Sequence, residues 1–280
     1  MKMNLQKISD RIATAAIYIM ALVTVLPLFL VVGYIVFYGF KHLSFELITR
    51  NPAPVGEEGG GVLNGIVGSG IILMISMAIG IPIGLLGGLY LADSPDGKWK
   101  HIIRLSVEIL QGIPSIVIGI IGYILIVLPM HRFSAVAGGV ALSMIMLPII
   151  VVSTEEVLRM VPVELREAGI ALGMPRWRVN LFVVLRTGLG GVISGILLSL
   201  SRVAGETAPL LFTALGSQFF SFKLDRPIAA LPLQIFNYSI SPYPEWHSLG
   251  FAASFLLLIG ILAINIITRT VIERMNYKNG

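Results

Sequence analysis

Apolar residues in this 280-residue chain come in long blocks instead of alternating with polar ones. Six blocks, roughly 12–39, 63–91, 103–128, 133–152, 181–211 and 248–268, each reach the length of about 20 residues that crosses a bilayer core as a helix. Pro82, Pro114, Pro148, Gly205 and Pro209 fall inside them, as helices of a membrane bundle tolerate. Gly84/Gly88 and Gly191/Gly195 have the four-residue spacing that lets two helix backbones approach closely. Two segments interrupt the blocks. Residues 153–180 form a polar insert with helical character, and residues 216–247 are rich in proline and aromatics, apolar enough to dip into the membrane surface but too broken to span it. The pattern divides the chain into an amino-terminal tail, first span and outer loop (1–62), a core of five spans (63–268) and a short tail (269–280).

Composition agrees with this picture. Only 12% of residues are charged, where a soluble domain has about 25%, and the mean hydropathy is +0.89. The first block follows Lys2, Lys7 and Arg11, as a signal peptide would, but runs too far for a signal core and is expected to remain as a membrane helix. The net charge of +5 reports topology, not a nucleic-acid partner. With the amino terminus inside, 14 of the 20 Lys and Arg residues lie on the cytoplasmic side. Five (Lys41, Arg50, Arg132, Lys223, Arg226) lie outside, and Arg202 lies within a span. This asymmetry puts both termini in the cytoplasm. The absence of cysteine excludes disulfides and thiolate metal sites, and the four scattered histidines have no metal-ligand spacing.

Within the insert, residues 163–171 should form a short helix, with Pro162 at its start and Gly173 and Pro175 stopping it. On local physics it is either a solvated connector or a docking element. Glu167-Ala168-Gly169, followed after three residues by Gly173, resembles the Glu-Ala-Ala loop of permease subunits of bacterial binding-protein-dependent ABC importers. The chain departs from that pattern at Gly169, where a second alanine is usual. In the Ile-x-Leu-Pro ending of that pattern, Val183 and Leu185 fill the apolar positions and Arg186 stands where proline is usual. The resemblance implies that this is a coupling helix seated in a groove of an ATPase subunit, with Glu167, Ala168, Gly169 and Gly173 at the contact.

Arg202 and Glu206, four residues apart in the fifth block, would share one face of a continuous helix. Ionisable groups inside a span are costly and face a bundle interior or a water-filled cavity, and Gly205 and Pro209 can open the helix beside them. Three readings stay open: a self-neutralising pair, a gate that separates between states, and an anion contact by Arg202. Thr207 joins this candidate pathway, and Pro114 and Ser115 are candidate kink and lining positions in the third block. Arg104 and Glu108, also four apart, are expected to neutralise each other.

"RVAGETAPLLFTAL", "GIPSIVIG", "GIPIGLLGGLYLAD" and "PIAALPLQIFNYS" resemble the phosphate-importer branch of the same permease family, in which a basic residue at the position of Arg186 is familiar. The resemblance implies an all-α integral membrane protein with six transmembrane helices in the type I ABC importer permease fold. Its expected partners are a second homologous permease subunit, an ATPase dimer that binds ATP and Mg2+, and an extracytoplasmic phosphate-binding protein. The chain itself has no P-loop and no GxSxG motif, so it is expected to be non-catalytic and to bind no cofactor. A sulfate or molybdate permease, a self-sufficient carrier, and homodimeric or heterodimeric pairing remain alternatives at this stage.

Overall fold

Helices account for most of the described chain, as expected where lipid offers backbone groups no hydrogen-bond partner. A computed structural model describes residues 2–54 and 59–279. The elements are α1 (Lys2–Lys41), α2 (Phe45–Thr49), α3 (Leu63–Asp93), α4 (Lys98–Gly112), α5 (Ser115–Met130), α6 (Ala135–Arg159), α7 (Val163–Ala171), α8 (Arg176–Thr187), α9 (Leu189–Ala204), α10 (Ala208–Thr213), α11 (Leu231–Ser239) and α12 (Pro244–Asn279). α5 and α8 each contain a widened π turn, at Tyr123–Val127 and Val179–Val184.

The bundle is organised around α6. Gly80, Gly84 and Gly88 of α3 face Met146, Ile150 and Thr154 of α6, both sets at the four-residue step of a helix face. A Cβ on Gly84 would lie 2.7 Å from Ile150 Cγ2, and one on Gly88 would lie 2.5 Å from Thr154 Cβ. The backbones meet at a separation only glycine permits. The second glycine pair serves the same helix, because Gly191 and Gly195 of α9 pack on Val157 and Ser153. A core of Ile72, Ile118, Leu142, Met146, Ile150, Leu210 and Leu233 fills the space between. By contrast α1 stands off the bundle. Its outer end packs on α12, with Tyr34 and Tyr38 against Phe251, and Phe40 against Phe255.

Four helices are long and apolar enough to cross a membrane, and the two bent pairs bring the number of spans to as many as six. The bends revise two sequence expectations. The block at 103–128 is not one straight helix: α4 and α5 meet at 107° across Gly112–Pro114. Two arms at that angle cannot both follow the membrane normal, so at most one of them runs along it. The block at 181–211 likewise bends by 75° between α8 and α9, and its long arm ends at Ala204.

The expected Arg104–Glu108 pair does not form. Arg104 instead binds Glu155 of α6, 51 residues away, and Arg159 binds the same carboxylate oxygen at 2.8 Å. On the outer side, residues 216–247 fold back as a cap over the bundle. Asn64 of α3 donates to Ser217 O at 2.8 Å and accepts from Gln234 Nε2 at 2.9 Å. The first amides of α6 donate to this cap through Arg226 O and Leu224 O.

Candidate functional site

Helix α7 occupies 163–171, the residues anticipated from Pro162 and Gly173. Gly173 has φ +80°, the left-handed conformation a helix stop requires and one that costs glycine nothing. The closing hydrogen bonds run from Gly173 N to Ile170 O (2.9 Å) and from Met174 N to Gly169 O (3.2 Å).

One face of α7 is tied to the rest of the chain. Arg166 Nη1 reaches Asp93 Oδ1 at 3.1 Å, and its Nη2 donates to Leu158 O at 2.9 Å. The other oxygen of Asp93 accepts from Asn180 Nδ2 at 2.7 Å. Asp93 is the last residue of α3, so a single carboxylate joins the inner end of a span, the cytoplasmic helix and the start of the next helix. Gly169 is buried on this tied face, where a Cβ would lie 3.0 Å from Val179 Cγ2. The departure from alanine at this position therefore reflects internal packing.

The opposite face is open. Glu167, Ala168 and Gly173 are exposed, as is a run of apolar side chains that includes Leu172 (83% exposed), Met160 (75%), Val163 (60%) and Trp177 (56%). Apolar surface on the aqueous side of a membrane protein marks a partner site. The four residues grouped by the sequence pattern thus divide: Glu167, Ala168 and Gly173 face outward, and Gly169 faces inward. Asp93, Arg166 and Asn180 were not singled out from the sequence, although Asp93 is the only charged residue in the 31 residues of α3.

The second candidate region lies where α9 ends. Arg202 occupies its last turn and is exposed. Gly205 closes the helix, Glu206 lies in the break, and Thr207 accepts from Leu210 N (3.1 Å) and Leu211 N (3.2 Å) as α10 begins. Because the helix stops before Glu206, the expected shared face does not exist. Among the described residues no ion pair joins Arg202 to Glu206, which removes the self-neutralising reading. Pro114 begins α5, its carbonyl accepting from Val117 N at 2.9 Å, and Ser115 is half-buried beside it. Gly119 packs on buried Pro209, where a Cβ would lie 2.7 Å from Pro209 Cα, and Gly122 packs on Thr213. This seam draws the Pro114 break and the Gly205–Thr207 break toward the same level of the bundle.

On the outer face, a cavity of about 210 Å3 lies between Ser217, Gln218, Gln234, Asn237, Tyr238 and Trp246. The Tyr238 hydroxyl is buried there without a protein partner, and burial pushes its phenol up to about 12. Among the described residues, no three His, Asp or Glu side chains come together as a metal site.

An all-helical bundle of straight and broken spans is the architecture of a membrane permease subunit of the type I ABC importer fold. A solved MetNI methionine ABC transporter, in an inward-facing conformation, matches it with a TM-score of 0.59 over 76% of this chain and 94% of that one, at 20% identity. Residues 80–277 match the binding-protein-dependent transport system inner membrane component family, and the chain belongs to it as a multi-pass inner-membrane protein. Its relatives include the phosphate transport system permease protein PstA of Yersinia pestis, 40% identical over 85% of this chain and 81% of that protein. PstA of Haemophilus influenzae is 42% identical over 82% of each chain. A probable PstA of Methanocaldococcus jannaschii is 33% identical over 93% and 92%.

Proposed function

We propose that this chain is a permease subunit of an ATP-driven importer that carries inorganic phosphate into the cell. The observation that carries the mechanism is the Asp93 junction, because it links an exposed apolar docking helix to the inner ends of two membrane segments. A partner that grips α7 can thereby move α3 and α8 together. The relatives described as phosphate permeases supply the substrate.

The proposed assembly pairs this subunit with a second homologous permease over an ATPase dimer. ATP and Mg2+ bind in that dimer, and an extracytoplasmic phosphate-binding protein docks on the outer cap. Both termini lie in the cytoplasm. Closure of the ATPase dimer pulls α7 and opens the pathway outward, phosphate enters, and hydrolysis resets it inward. Arg202 is an exposed cation in the last turn of a span and, among the described residues, has no carboxylate within pairing distance, so lipid is an unfavourable neighbour for it. It faces the water-filled pathway, where a guanidinium attracts an oxyanion or pairs across the subunit boundary in one state.

The test is uptake of labelled phosphate in cells without other phosphate carriers, co-expressing this chain with the three partner subunits. Sulfate and molybdate serve as competitors. Uptake that requires this chain and ATP and resists both competitors supports the proposal. ATP-dependent uptake of a different oxyanion overturns the substrate, and uptake by this chain alone overturns the permease role.

A further inference from the structure

A second concave site lies on the cytoplasmic side, apart from both regions above. The turn after α3, the first half of α4 and the end of α6 enclose a cavity of about 340 Å3 lined by Asp96, Gly97, Lys100, His101, Arg104 and Arg159. Its charges do not balance. Lys100 is neutralised by Asp96 at 3.1 Å and also donates to Ser94 O at 2.6 Å. Lys100 holds the Asp96 carboxyl below the usual carboxylate range, with Arg159 and Arg104 adding to the effect, so Asp96 stays ionised. Arg104 and Arg159 share the one buried carboxylate of Glu155, leaving one guanidinium charge in excess. Both arginine side chains, which line the cavity, remain about half exposed (41% and 49%), while that of Glu155 is only 7% exposed. Next to the cavity, α4 shows Trp99, Ile102, Leu105 and Ile109 exposed, an apolar surface at the level of the inner membrane interface.

We propose that this cavity binds a single phosphate group carrying about one negative charge, either the phosphodiester of an anionic phospholipid or free phosphate. Two guanidinium forks on one carboxylate supply donors in the planar geometry that phosphate oxygens accept. Their excess charge equals that of a phosphodiester. Basic pockets between helices on the cytoplasmic side are suited to anionic headgroups, and the lining of α4 gives acyl chains an adjoining surface.

The test uses the assembled transporter. Native mass spectrometry counts phosphatidylglycerol retained from mixed micelles, with phosphatidylcholine as the zwitterionic comparison. Equilibrium dialysis in phosphatidylcholine nanodiscs measures labelled inorganic phosphate. Each is repeated with Arg159→Gln, with Arg159→Lys, and with Arg11→Gln, which removes an inner-face charge far from the cavity. Thermal melting shows that the variants remain folded. The expected result is phosphatidylglycerol retention that falls about tenfold in R159Q, returns in part in R159K and is unchanged in R11Q. The same pattern for inorganic phosphate, without phosphatidylglycerol retention, identifies free phosphate as the source. If R159Q melts like the wild type and binds both ligands like the wild type, or if R11Q loses as much as R159Q, the site does not exist.

Discussion

Replacing Asp93 by alanine removes at once its link to α7, through Arg166, and its link to α8, through Asn180. Asp93 accepts from Arg166 at 3.1 Å and from Asn180 at 2.7 Å. Hydrogen bonds to a charged group contribute about 1.5–3 kcal/mol each when buried. Asp93 is 36% exposed and Arg166 is 18% exposed, so solvent screening brings each bond nearer to about 1 kcal/mol. The α7 link alone, about 1 kcal/mol, changes the ratio of attached to detached α7 by roughly fivefold, and the loss of the Asn180 link loosens α8 by a similar amount. The overall fold is retained, because the α3–α6 seam does not involve this residue. The expected phenotype is therefore uncoupling, in which the assembled complex still hydrolyses ATP but moves less phosphate per ATP. Asp93→Asn should be milder, since it still offers Asn180 an acceptor. The assay is phosphate uptake and ATP hydrolysis measured in the same proteoliposomes for D93A, R166A and the double variant. If the junction acts as one unit, the double variant is no worse than the more severe single one. Wild-type stoichiometry in D93A, or strictly additive losses in the double variant, would refute a mechanical role for the junction.

Four further substitutions test the remaining parts of the structure. Gly173→Asp places a side chain at φ +80° on the exposed end of α7. It should lower uptake while leaving the complex's ATPase measurable, and wild-type coupling in that variant would separate α7 from the ATPase. Arg202→Gln should reduce uptake by about tenfold or more with normal assembly, the loss of roughly 1.4 kcal/mol of anion or gate interaction; unchanged uptake removes both functional readings of that residue. Gly88→Ala drives a Cβ to 2.5 Å from Thr154 Cβ and 2.8 Å from Val151 O, so α3 and α6 must separate, at a cost of about 1–3 kcal/mol. Gly80→Ala, whose Cβ would meet Met146 Cβ at 3.4 Å, should melt nearly as the wild type does, and equal melting of the two variants contradicts the glycine seam.

The parts of this fold legible in the sequence are those fixed by local rules. Lipid demands long apolar helices, so hydropathy located the spans, and Pro162 with Gly173 bracketed α7 to the residue. Both glycine pairs were readable as packing positions, but not that they converge on α6, because spacing names a face and not its partner. Pro114 was readable as a kink, though not the size of its bend, and the bend at Gly188 was hidden because apolar character continues through it. Arg202 and Glu206 were placed on one face by a rule that holds only while the helix continues, and Gly205 ends it. Arg104 was paired with its nearest carboxylate in sequence, whereas its partner, Glu155, is 51 residues away on another helix. Asp93 escaped notice for a similar reason. An acidic residue at a helix end is unremarkable until the fold brings Arg166 and Asn180 to either side of it.

The most direct measurement is phosphate entry into proteoliposomes that contain this chain, the second permease, the ATPase and the binding protein. Each component is omitted in turn, and the D93A and R202Q variants are run in parallel. Entry is expected only with all four components and ATP, with D93A hydrolysing ATP at a reduced yield of phosphate and R202Q moving phosphate about tenfold more slowly, or slower still. Entry that persists without the ATPase, or that proceeds normally in both variants, would contradict a coupled phosphate permease worked through α7.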